Sequence, residues 1–307
     1  MFNFAAKRHW FLLVLVIVVV FGVVSAAVPG GLKLGWDFRG GFQLTLAPNE
    51  ETTIDTVKDK LTELEYGEAT GRVQETGGSF LLLLGDLSEE EQNNLRTEMG
   101  TIGTVVQEGT GYISPAVASE TARNAAIATG LAMVAMLIYI TLAFRKVPHS
   151  IRYGTAAVAA LVFNLLVVLG IFSILGRVLG WEIDPMFITA ILAIIGYSVN
   201  DSIVVLDRIR ENKARGISPD YDVTVNFSIS QTLVRSLNTS ITTLLAVLAV
   251  YLIVGGPIRS FLLALFLGIV AGAYSSIFVA GPLLVFWERR EWGKLISWIP
   301  RPRKDKA

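Results

Sequence analysis

Two charged side chains stand where the sequence is otherwise fit for a lipid interior. Asp201 lies inside the run Ile194 to Arg210, IIGYSVNDSIVVLDRIR, and Arg235 opens another such run in LVRSLNTSITT, Leu233 to Thr243. A charge in hydrocarbon costs at least about 2.5–3.5 kcal/mol on insertion scales, so each must have a use or a partner. On a helix, Tyr197, Asn200 and Asp201 share one face, and so do Arg235, Asn238, Thr239 and Thr242. Two chemistries fit. In the first, Asp201 exchanges an ion between two access paths; Arg235 tunes its charge, and Asn200, Asn238 and Thr239 hydrogen-bond the changing group. In the second, the Asp and Arg form a static ion pair that fixes helix packing. H⁺ suits a lone carboxylate, while the Asn and Thr oxygens would also suit Na⁺.

These residues need spans to hold them. The chain is 52% hydrophobic and 17% charged, with a mean hydropathy of +0.56; soluble proteins carry about 25% charged residues, so this is an integral membrane composition. The first span runs from Trp10 to Val28. Ser25-Ala26-Ala27 before Pro29 resembles a signal-peptidase site, but the run has the length of an uncleaved span. Further spans are expected at Asn124–Phe144, Ile151–Leu175, Pro185–Leu206, Leu237–Val254 and Ser260–Trp287. Lys7, Arg8, Arg145, Lys146, Arg152, Arg208, Arg210, Lys213, Arg215 and the tail Arg301, Arg303, Lys304 and Lys306 all fall on one side of six such spans. The positive-inside rule makes that side the cytoplasm, with both termini there. Trp10, Trp181, Trp287 and Trp292 fall near the interfaces, where their amphipathic rings belong. At about 1.5 Å per residue, Asp201 and Arg235 lie about 24 and 30 Å from the outer surface, close in depth.

Net charge divides the chain. Lys33 to Glu120 holds 6 Lys and Arg against 16 Asp and Glu, a net of −10, so this stretch faces water. Phe42–Leu46 alternates like a strand. Glu51–Tyr66 has the apolar spacing of an amphipathic helix. Ala69–Glu75 and Ser79–Gly85 read as strands, Ser88 to Gly100 as a helix with Glu91 in its capping box, and Ile102–Gln107 as a last strand. The order β-α-β-β-α-β is the ferredoxin-like pattern. The predicted fold is thus a multi-pass α-helical membrane protein: 1–29 cytoplasmic start and first span, 30–122 ferredoxin-like extracytoplasmic domain, 123–288 five more spans, 289–307 basic cytoplasmic tail. Gly35-Trp36-Asp37-Phe38-Arg39-Gly40-Gly41 is a Gly-rich turn, not a phosphate loop, since no Gly-Lys-Ser/Thr and no helix follow it. No cysteine occurs, and His9 and His149 lie far apart, so no metal site or other cofactor is expected. The sixth-span stripe Gly268, Gly272, Ser276, Ala280 suits close packing within the chain, and Asn164 an interhelical hydrogen bond.

The Gly35–Gly41 motif, Ile195–Val205 with Asp207–Asn212, and Arg235–Ser240 resemble the SecF family of bacterial protein-export subunits, over essentially the whole chain. Trp36 stands where that family commonly has Ile; Gly35, Asp37, Phe38, Gly40 and Gly41 match. The resemblance implies a six-span bundle of the resistance-nodulation-division type in the bacterial inner membrane. It implies pairing with SecD beside the SecYEG channel, often with YajC, to promote late, ATP-independent export of a polypeptide on a proton or sodium gradient. Asp201 and Arg235 then match the family's intramembrane charged pair, and Asn200 and Thr239 its polar neighbours. No enzymatic activity and no nucleic-acid partner are implied. The alternatives are an assembly subunit with a purely structural charge pair, or half of another transporter of the superfamily.

Overall fold

The computed structural model describes residues 8–28, 31–49, 52–66, 71–76, 78–145, 147, 149–255 and 258–289. Lys7, Lys146, Trp292 and the basic tail lie outside them. Helix α1 (Arg8–Ala27) has 20 residues, is about 30 Å long, and is apolar without a break from Trp10 to Val24. A single helical turn, α2 (Trp36–Arg39), sits within the Gly-rich segment, where the sequence suggested no helix. The acidic stretch follows as β1 (Gly41–Pro48), α3 (Ile54–Glu63), β2 (Gly71–Thr76), β3 (Ser79–Leu84), α4 (Glu89–Met99) and β4 (Gly103–Ile113). Its sheet has the order β2-β3-β1-β4, with antiparallel neighbours throughout. Alternation along the strands turns Phe42, Leu44 and Leu46 of β1 and Phe80, Leu82 and Leu84 of β3 to one face. Val57, Leu61, Leu95 and Met99 of the two helices close that core.

The capping box at α4 is complete. Ser88 Oγ accepts from the Glu91 N–H at 3.3 Å, and Glu91 Oε2 accepts from the Ser88 N–H at 2.8 Å. Hydrogen bonds from the Ser88 hydroxyl and backbone hold the Glu91 carboxyl below its ordinary 4.5. A depressed carboxyl stabilises the fold above its unfolded value and stops doing so as pH falls through the folded one. Glu91→Gln should therefore weaken hydrogen-exchange protection of α4 amides at pH 7. That difference from wild type should shrink as the pH is taken below 4.5; a difference that grows in acid would refute this role.

Past the domain, α5 (Pro115–Ala143), α6 (Ser150–Leu179), α7 (Pro185–Ala214) and α8 (Tyr221–Ile253) follow in turn. Helix α9 (Ile258–Ser275) passes through a π-helical turn at Ser276–Ala280 into α10 (Gly281–Glu288). Among the described residues, five helices are long and apolar enough to cross a membrane: α5, α6, α7, α8 and the run Ile258–Glu288. Helices α5 and α8 begin well before the expected Asn124 and Leu237. For α5, Ser114 caps the end by accepting from the Val117 N–H at 3.3 Å. Glu120 and Arg123 in its first turns lower the hydropathy without interrupting the backbone ladder. In α8 the same is true of Ser228, Ser230 and Thr232, whose hydroxyls donate to carbonyls of the preceding turn.

Glycines set the closest approaches. A Cβ on Gly170 of α6 would lie 2.9 Å from the Gly22 Cα of α1. Beside that contact the Ser25 and Ser173 hydroxyls meet at 2.7 Å, and Arg177 donates to the Ser25 carbonyl at 2.9 Å. A Cβ on Gly268 of α9 would lie 2.3 Å from Ile194 of α7, and one on Gly272 would lie 3.1 Å from the Ser198 hydroxyl. The small-residue stripe thus serves packing inside the chain.

Candidate functional site

Helix α7 carries Asp201 into its contact with α8, where the side chain is 6% exposed. Its hydrogen-bond donors come from α8: the Ser236 hydroxyl reaches Oδ1 at 3.2 Å, and the Ser240 hydroxyl reaches Oδ2 at 3.3 Å. A four-residue spacing puts both hydroxyls on one side of α8, one turn apart. Each carboxylate oxygen therefore meets one neutral donor. Around the pair, Tyr197 donates to the Thr239 carbonyl and the Thr243 hydroxyl, both at 3.2 Å. Farther along, the Asn212 amide donates to Ser228 Oγ at 2.8 Å.

Arg235 makes no ion pair with Asp201. It precedes Ser236 by one residue, which is a turn of about 100° around the helix, and it lies on the exposed side of α8. Its charge acts on the carboxylate through space only. Asn238 and Thr239 share that exposed side, and Asn200 is exposed on α7; the Thr239 hydroxyl donates to the Arg235 carbonyl at 2.9 Å. The polar stripe read from Arg235 is thus a real stripe, but it faces away from Asp201. The hydroxyls that do meet Asp201 were missed. Their signal was present as Ser228, Thr232, Ser236 and Ser240, spaced by four.

A second polar cluster lies between α6, α7 and α9. The Asn164 side chain meets Ser198 Oγ at 2.5 Å. With its oxygen turned to Ser198, its amide nitrogen donates to the Ala271 carbonyl at 3.0 Å and to Ser275 Oγ at 2.8 Å. This satisfied network is the expected interhelical hydrogen bond, with extra partners.

The Gly35–Gly41 motif is a joint. The Gly35 N–H donates to the Ile183 carbonyl and the Ile183 N–H to the Lys33 carbonyl, both at 2.7 Å. Phe38 is buried in the main core together with Phe172, Ile183 and Phe187. Next to Ile183, Asp184 caps α7 by accepting from the Phe187 N–H at 2.7 Å, and it accepts from the Ser260 hydroxyl of α9 at 3.0 Å. Gly40 and Gly41 turn the chain into β1 at φ 76° and 124°. Asp37 is only partly buried beside this joint. Among the described residues, no three His, Cys, Asp or Glu side chains gather as metal ligands.

Comparison with known proteins gives a consistent result. The family model described as protein export membrane protein SecD/SecF, C-terminal, matches residues 95–290. The protein translocase subunit SecF of Thermobaculum terrenum is 39% identical, over 95% of this chain and 96% of that protein. The SecF of Anaerolinea thermophila is 34% identical, over 99% of both. The crystal structure of SecDF from Thermus thermophilus superposes with a TM-score of 0.81 at 33% identity, over 94% of this chain. A second SecDF structure, in a super-membrane-facing form, gives 0.66. This chain spans nearly the whole length of the SecF relatives but only 39% of the first SecDF chain. Together with the apolar helices, these matches make the chain a multi-pass helical membrane protein that belongs to the SecF branch of the SecD/SecF protein-export family.

Proposed function

We propose that the chain is an ion-coupled, non-enzymatic subunit of the bacterial protein translocase. In this reading it works with SecD beside the SecYEG channel and YajC, and uses the proton gradient to promote late, ATP-independent stages of polypeptide export. The observation that carries the reading is Asp201, buried between two helices and held by two neutral hydroxyls. A static packing pair would keep a cation against the carboxylate, because a buried unpaired charge costs several kcal/mol, on the order of 3–5. Hydroxyls can donate to an ionised carboxylate and accept from a protonated one, so they serve both states. Arg235 biases the charge from a distance. With Asn200, Asn238 and Thr239 it forms an exposed polar face at membrane depth, which needs protein rather than lipid against it. SecD is the partner proposed for that face.

The same reading takes α1 as a sixth span and places the molecule in the inner membrane with both termini in the cytoplasm. The β1-α3-β2-β3-α4-β4 order and the β2-β3-β1-β4 sheet support a ferredoxin-like extracytoplasmic domain. The test is export into vesicles holding the channel and SecD, with and without this chain, under a proton gradient or a sodium gradient. Proton-driven acceleration that requires the chain is expected. Acceleration by sodium alone would reassign the ion, and no response to either gradient would leave an assembly subunit.

A further inference from the structure

One pattern in the sequence has no part in export. Lys7 and Arg8 precede the apolar run Trp10 to Val24, and Ser25-Ala26-Ala27 follows it. A signal peptidase reads a positive flank, an apolar run of about 7–15 residues, and small side chains at the first and third of three positions, and cuts after the third. The run here is at the upper end of that range, and the cut would fall between Ala27 and Val28.

The fold withdraws these residues from such an enzyme. Ser25, 8% exposed, is turned into α6. Its hydroxyl meets that of Ser173 at 2.7 Å, and its carbonyl accepts from the Ser173 hydroxyl and from Arg177, both at 2.9 Å. The helices are close enough for this because Gly22 lies on the same contact; a Cβ there would lie 2.7 Å from the Leu166 carbonyl oxygen of α6. Across the cut the backbone is still helical, with the Val28 N–H donating to the Val24 carbonyl at 3.1 Å. Just beyond, the Gly31 N–H donates to the Val28 carbonyl at 2.8 Å, and the Lys33 carbonyl is bonded to Ile183. Ala27 and Val28 are themselves exposed, so the bond is protected by its helical backbone and by the burial of Ser25. Proteolysis of a folded chain acts on its locally opened population. Here that is the population in which α1 has come off α6 and freed the Ser25 side chain.

We propose that Ser25–Ala27 is a working signal-peptidase site, silenced by the docking of α1 on α6. The inference rests on the reading that α1 spans the membrane with its Ala27 end outside the cytoplasm. The peptidase adds water across the Ala27–Val28 amide, leaving a carboxylate on Ala27 and an amine on Val28. Helix α1 then becomes a separate peptide, and the acidic domain keeps its covalent tie to the bundle through α5 alone. The long apolar run and the helical turn at the cut make the bond a slow substrate, so docking comes in time once α6 has been made. Docked chains keep the first helix, and chains in which it stays loose lose it.

The test is the double variant Ser173→Ala, Arg177→Ala in the full chain, expressed in cells with added signal peptidase and read from the N-terminus of the product. Each net hydrogen bond lost raises the open fraction about fivefold. A product starting at Val28 should therefore rise about fivefold or more over wild type. Adding Ala27→Leu should abolish it, because a large side chain then precedes the cut. A double variant as intact as wild type would mean that docking protects nothing. Wild type cut to the same extent, or a cut that survives Ala27→Leu, would also overturn the proposal. Should the double variant fail to accumulate, Ser173→Ala alone decides, since it removes one hydroxyl and no charge. The underlying reading is checked with Glu90→Cys, an exposed lone thiol in a chain without cysteine. A membrane-impermeant maleimide should label it on spheroplasts. An intact double variant with a labelled thiol sinks the proposal alone; an unlabelled thiol sinks the orientation of α1 and the proposal with it.

Discussion

Asp201→Asn is expected to abolish the acceleration of export by a proton gradient while the protein still accumulates and assembles. Asn has the size of Asp, and its amide oxygen can still accept from Ser236 or Ser240, so the helix contact survives. What is lost is exchange of a proton. The membrane potential supplies about 2.3 kcal/mol per charge per 100 mV, but only to a charge that moves. With the amide in place no carboxyl charges and discharges, and that free energy has no entry point. The measurement is export rate with and without the gradient, normalised to the amount of chain in the vesicles. A full gradient response in the variant would make Asp201 a packing charge. A collapse in abundance would assign it to folding.

The second large effect is expected at Gly41, the last residue of the joint motif. Its φ of 124° is a backbone conformation that L side chains rarely adopt, and an added Cβ would lie 2.2 Å from the Leu84 carbonyl oxygen. Strain of that kind costs about 1–3 kcal/mol. Overpacking against backbone, which cannot rotate away, adds about 1–3 kcal/mol more. Against a typical domain stability of about 5–15 kcal/mol this is severe. Gly41→Ala should therefore sharply reduce hydrogen-exchange protection of β1 and β3. Gly78→Ala is the control, since Gly78 also has positive φ, at 79°, but no atom within 4 Å of the added Cβ. Equal losses in the two variants would mean that backbone conformation, not the contact with Leu84, explains the effect.

Much of this was open to reading from residue order. Asp201 stood out because a charge in an apolar run has few explanations. The alternation of Phe42, Leu44 and Leu46 and the Ser88–Glu91 cap located β1 and α4 for equally local reasons. The partners of Asp201 were harder to see. Arg235, Asn238 and Thr239 made the louder pattern, yet a shift of one residue turns a helix by about 100° and sends that pattern to the outside. Ser236 and Ser240 carry no charge, and serines in apolar helices commonly bond their own backbone, so their spacing of four was the fainter signal. The early start of α8 was hidden for a related reason: hydropathy counts Ser228 and Thr232 as polar, although their hydroxyls are already bonded within the helix. The joint was invisible because it depends on Ile183, far along the chain from Gly35.

That distance orders events in time. Ser25 and Ser173, which meet where α1 packs on α6, are 148 residues apart, and the joint at Lys33, Gly35 and Ile183 closes over a similar span. At about 5–20 residues per second, synthesis leaves α1 without its partner for about 7–30 s. The sheet and its two helices have a core drawn only from their own stretch of chain, so they can fold during that wait. Closure of the joint comes after the start of α7 has been made. A newborn chain thus has a finished domain on a loose tether first, and a domain fixed to the helix that carries Asp201 only after α5, α6 and the start of α7 have been made.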